Sequence, residues 1–164
     1  MTALRRSFTG LLAAMAILAM VQGARAAPEG FATITTQHDF ETLVGRVEAA
    51  VKANGLFVVT RASASKGAAS RGLTIPGNMV LGVYRNDFAV RMLEASIAAG
   101  IEAPIRFYVT ANADGSASLA YRAPSAVFAP YEDGGEALAA IAVELDEIFA
   151  AIAAEAGGTV PVSP

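Results

Sequence analysis

Apolar residues recur along this chain in two periods, and the switches between them mark out its elements. After a polar stretch at residues 27–30, Ala32, Ile34 and Thr36 alternate with their neighbours, which predicts a short strand over 31–36. Phe40, Leu43, Val44, Val47, Ala50 and Val51 then follow at spacings of three and four, one stripe of an amphipathic helix. Thr36 or Asp39 can cap its free amides, Glu41 suits its positive first turn, and Asn54-Gly55 supplies a left-handed stop. Residues 56–60 are apolar without alternation, the pattern of a strand covered on both faces, and residues 79–84 repeat it. Between them, 61–77 is rich in Ser, Ala and Gly and reads as a long loop with room for one helical turn. Phe88, Met92, Ala95 and Ala99 mark a second helix that starts at Asn86 or Asp87 and closes at Gly100. Leu138, Ile141, Leu145, Ile148, Phe149 and Ile152 mark a third, ended by Gly157-Gly158. The stretch before it, with Val127, Phe128, Pro130 and Tyr131 and then Glu132 and Asp133, has no period, and 159–164 is expected to be a loose tail.

Residues 104–124 carry the most specific pattern. Pro104 holds Ala103 out of helical conformation and starts a hairpin. Ile105, Phe107 and Val109 share one face of its first strand, Leu119 and Tyr121 one face of its second. They fall on a common face only if Val109 opposes Leu119 and Phe107 opposes Tyr121. Asn112 then partners Ser116, and Ala113-Asp114-Gly115 is a three-residue loop with Gly115 in the left-handed position. The same register sets Arg106 against Arg122 and Tyr108 against Ala120 on the opposite face.

The predicted order is β-α-β-β-α-β-β-α. Each strand-helix-strand unit places its helix on the sheet, so the three amphipathic helices give a two-layer α+β domain with a mixed sheet, the helices mainly on one face and the other face left open. The domain is expected to span 27–158 of the 164 residues.

Composition adds a leader. Arg5 and Arg6 precede an apolar run over 11–21 and then Ala24-Arg25-Ala26, the three parts of a secretory signal peptide over 1–26. The run is shorter than the ~20 residues that span a bilayer as a helix, so cleavage after Ala26 is expected, an uncleaved anchor being the alternative. Arg5-Arg6-Ser7-Phe8 fits part of a twin-arginine signal, so this route and the general secretory route both stay open. A periplasmic or secreted protein with no membrane attachment follows. Cleavage removes three of 12 basic residues and none of 15 acidic ones, which moves the formal charge from −3 to −6 and argues against nucleic acid as a partner. There is no cysteine, hence neither disulfide nor thiolate chemistry.

Candidate chemistry is thin. Ser63-Ala64-Ser65-Lys66 matches S-x-x-K, but the accompanying S-D-N and K-T-G elements are missing. His38 is the only histidine, short of the three or four convergent ligands of a zinc site, and reads as a capping or exposed residue. Met79 and Met92 sit at packing positions, and no metal or cofactor is expected. Arg106, Tyr108 and Arg122 on the open face are the ligand-binding candidates: arginines set opposite each other call for an acid or an anion between them. Glu102, an acid of a partner subunit or plain hydration can answer that need, as can a small anionic ligand. Arg61, Lys66 and Arg71 of the long loop are possible additions.

The run from Phe40 through Gly55-Leu56-Phe57-Val58-Val59, Gly72-Leu73, Met79 to Gly82, Ala103-Pro104-Ile105, Asp114-Gly115 and Ala120-Tyr121-Arg122-Ala123-Pro124 resembles the family called domain of unknown function 302, over about residues 31–150. The resemblance implies a compact α+β domain similar in topology to TATA-binding-protein-like folds, with no activity attached to the family as a whole. The chain departs from the family pattern at Gly82-Val83-Tyr84-Arg85-Asn86, where a Gly-Asn-Pro-like segment is usual. The expected function is therefore a non-enzymatic exported domain that binds a small ligand or protein partner through its open sheet face, as a homodimer. A hydrolase-like or other enzyme on a small periplasmic substrate is one alternative, and an accessory factor of a periplasmic redox or metal-handling system is another.

Overall fold

The computed structural model describes residues 30–158; the expected signal peptide and tail lie outside them. Five strands, β1 (Phe31–Thr35), β2 (Phe57–Ala62), β3 (Asn78–Tyr84), β4 (Ile105–Ala111) and β5 (Ala117–Arg122), form one sheet in the order β1-β5-β4-β3-β2. Five α-helices accompany it: α1 (Phe40–Ala53), α2 (Ala64–Ala69), α3 (Asn86–Ala95), α4 (Pro124–Phe128) and α5 (Gly135–Gly157). Two short 3-10 segments, Ala98–Glu102 and Glu132–Gly134, complete the order.

The sheet is antiparallel at every pairing, which corrects the expectation of a mixed one. β1 and β2 run in the same direction around α1, but three strands lie between them. After α3 the chain doubles back through the 3-10 segment, where Gly100 lies against Leu93, so that β4 starts at the end where β3 stopped. No parallel crossover is completed between neighbours.

The hairpin has the expected register: Phe107 pairs with Tyr121 and Val109 with Leu119, the Asn112 amide donates to the Ser116 carbonyl at 2.8 Å, and Gly115 has φ +87°. Asp114 accepts from the Ser116 amide and hydroxyl (3.0 and 2.6 Å), and these bonds to its charged form lower its pKa. The α1 stripe is buried as its spacing demands, with Asp39 as the N-cap accepting from the Thr42 amide at 2.9 Å. The Arg46 guanidinium donates to the carbonyls of Ala156 and Glu155 (2.6 and 2.7 Å), pinning α1 to the negative end of α5. Phe107 stacks on Phe149 of α5 with ring centroids 4.6 Å apart, and Tyr121 tilts against both rings.

Other expectations need correction. β2 is an edge strand rather than a doubly covered one: Leu56 is buried just before it, whereas Phe57 and Val59 are 65% and 50% exposed. Its register shifts between Val58 and Thr60, a bulge of the kind that keeps an edge from pairing further. α3 ends at Ala95, earlier than Gly100, because the buried Ser96 hydroxyl accepts from the Ala99 amide and donates to Asp133, turning the chain into the 3-10 segment. The aperiodic stretch after Arg122 contains α4, a single turn started by Pro124 and tied to α5 through the Ser125 amide and Asp146.

Candidate functional site

Alternation along β4 and β5 divides their side chains between two environments. Ile105, Phe107, Val109, Ala117, Leu119 and Tyr121 are buried under the helices, and Arg106 and Tyr108 are exposed on the other side. Across that open face Thr33, Ala120, Tyr108 and Val80 stand in one row, and Thr35, Ser118, Thr110 and Asn78 form a polar row beside it. The face is thus mixed rather than broadly apolar. The row on the other side brings Phe31 opposite Arg122 and Gly82 opposite Arg106. The β4–β5 ladder ends at Phe107 and Tyr121; one step further, its register sets Arg106 against Arg122.

At this end of the face a concavity of about 460 Å³ opens, within the ~300–1,000 Å³ usual for small-molecule sites. Arg106, Tyr108 and Arg122 line it together with Glu102, Phe31 and Val80, and Ile105, Ala120, Tyr121 and Val127 complete its walls. Among the described residues neither arginine has an ion-pair or side-chain hydrogen-bond partner, whereas Arg61, Arg85 and Arg91 are paired with Glu48, Asp87 and Glu144. Gly82 keeps the neighbouring strand low: a Cβ there would lie 2.2 Å from the Thr60 hydroxyl oxygen and 2.8 Å from the Pro104 ring.

Glu102, on the first 3-10 segment, is the one carboxylate of the lining. The Tyr131 hydroxyl donates to its Oε1 at 2.7 Å, and this bond raises the Tyr131 pKa by favouring the protonated phenol. The segment is anchored at its start by the Ser96–Asp133 contact of 2.8 Å, so Glu102 is held from both ends.

The remaining sequence candidates lie elsewhere. Ser63 caps α2 by accepting from the Lys66 amide at 3.1 Å and contacts Ser65 at 2.9 Å, so its hydroxyl serves the turn. Arg61 points to the helix side and pairs with Glu48 at 2.7 Å; neither it nor Lys66 nor Arg71 lines the concavity. His38 sits before α1, and no group of three metal-ligating side chains occurs among the described residues. Met79 and Met92 are buried core residues. Phe31, Val80 and the Tyr131 tether went unread in the sequence. Phe31 shares strand parity with Thr33 and Thr35, a usable signal, but its place beside Arg122 depends on a pairing 91 positions apart. A second crevice, lined by Arg85, Phe88, Met92 and Phe149 among others, holds only about 40 Å³, too little for an organic ligand.

Fold and site together define a two-layer α+β domain with an open antiparallel sheet. The family model described as Domain of unknown function DUF302 matches residues 32–156, and the chain belongs to that family. The crystal structure of an uncharacterized conserved DUF302 protein from Bacillus stearothermophilus is similar, with a TM-score of 0.70 at 19% identity, covering 79% of this chain and 99% of that one. That likeness concerns the fold. A comparison with curated proteins found no match. No helix among the described residues is long and apolar enough to cross a membrane.

Proposed function

We propose that this domain binds a small carboxylate through the open face of its sheet, with Arg106 and Arg122 taking the anionic group and Tyr108, Phe31 and Val80 the body. The observation that carries the reading is the pair of arginines lining one concavity without a counter-ion among the described residues, in a chain whose formal charge is negative. A guanidinium presents a planar fork of donors that matches a carboxylate, and low-dielectric walls strengthen the attraction. The lining holds no Ser, Thr, Cys, His or Lys, and its titratable oxygens are those of Glu102, Tyr108 and Tyr121.

Titration calorimetry with 3-phenyllactate and 3-phenylpropionate, followed by amide shift mapping, tests this. Binding with shifts centred on residues 31, 80, 106–108 and 120–122 is expected, weakened about tenfold or more in Arg106→Ala and in Arg122→Ala, the size of a lost charge-assisted hydrogen bond. Affinity in both variants equal to that of the unsubstituted protein, or shifts centred elsewhere, would count against it.

A further inference from the structure

We infer that the ligand of this site carries a hydrogen-bond donor, an ammonium or a hydroxyl, beside its carboxylate on an apolar body: an amino or hydroxy acid rather than a bare carboxylic acid. The inference rests on the carboxylate-binding reading and sharpens it through Glu102.

Two cations and one anion line the same concavity, yet Glu102 makes an ion pair with neither arginine. Its Oε1 is taken by the Tyr131 hydroxyl, and Oε2 has no hydrogen-bond partner among the described residues. Tyr131 holds one oxygen of the carboxylate, and the Ser96–Asp133 contact anchors the segment that carries Glu102. The lining thus offers donors in the two arginines, an acceptor in Glu102 and apolar side chains such as Phe31, Val80 and Val127.

A bare carboxylate entering such a site gains the arginines but meets a like charge at Glu102, which opposes it. A ligand with a donor next to its carboxylate turns that repulsion into a charge-assisted hydrogen bond. Glu102 is only partly buried, so water offsets part of the loss when the analogue lacks the donor, and the expected discrimination is modest.

The test compares phenylalanine, 3-phenyllactate and 3-phenylpropionate on the whole domain by titration calorimetry. Phenylalanine and phenyllactate are expected to bind about tenfold more tightly than phenylpropionate. Glu102→Ala should erase that preference and tighten phenylpropionate binding. Glu102→Gln, which retains an acceptor for Tyr131 and removes only the charge, should cut the preference for the ammonium more than that for the hydroxyl, and it guards against a folding defect in the alanine variant. Phenylpropionate binding as tightly as the other two, or a preference that survives both substitutions, overturns the inference while leaving carboxylate binding intact. Failure of all three probes to bind overturns the reading beneath it as well.

Discussion

The two faces of the β4–β5 hairpin are made from alternate residues of the same two strands, yet they are held by different physics. On the covered face Phe107 is fully buried, stacked on Phe149 and flanked by Tyr121, so each side chain is fixed by contacts that water cannot replace. On the open face Arg106, Tyr108 and Arg122 touch water and lack fixed partners among the described residues. Stability therefore belongs to the covered face and the proposed recognition to the open one, with Ile105 and Tyr121 of the covered face also reaching the walls of the concavity. The difference teaches that a strand can vary its open-face side chains while keeping those of its core, since successive positions report to separate environments.

The sharpest way to break that comparison is Phe107→Ala. Removing a buried ring from a packed cluster leaves a cavity, and a loss of about 3–5 kcal/mol in urea or thermal unfolding is expected; a loss below about 1 kcal/mol would mean that the covered face does not carry the stability assigned to it. Gly115→Ala tests the loop that sets the register shared by both faces. At φ +87° a side chain costs about 1–2 kcal/mol, read as a lower unfolding midpoint with the register preserved by amide exchange. The smallest effect belongs to the open face. Arg106→Ala and Arg122→Ala should each change stability by no more than about 0.5 kcal/mol, with any gain reflecting relief of like-charge repulsion, even as both lose carboxylate binding. A loss of several kcal/mol from either arginine would move it from recognition to structure.

Much of this molecule was legible before its coordinates. The α1 and α5 stripes follow directly from spacing, because a helix must bury the positions its 3.6 period collects. The hairpin register and its Gly115 loop follow as surely, since a slip of one residue would have turned Phe107 or Tyr121 out of the core. That register alone brought Arg106, Tyr108 and Arg122 to one face. The apolar run at Leu56–Val59 misled, because a bulged edge strand and a doubly covered strand can share one pattern: burial depends on neighbours that periodicity does not name. Ser96 ended α3 early for a like reason, its cap being completed by Asp133, 37 residues away.

Local sequence by itself determined the buried stripes of α1 and α5, which hairpin residues face inward and how the hairpin closes, because those properties are decided within a few residues by sterics and period. Only the tertiary structure decided that the sheet is antiparallel throughout, that β1 lies beside β5 and sets Phe31 next to Arg122, and that Tyr131 holds Glu102 at the same concavity. These are contacts between segments distant in the chain, fixed by how the whole core packs, and they are what turns two opposed arginines into a candidate site.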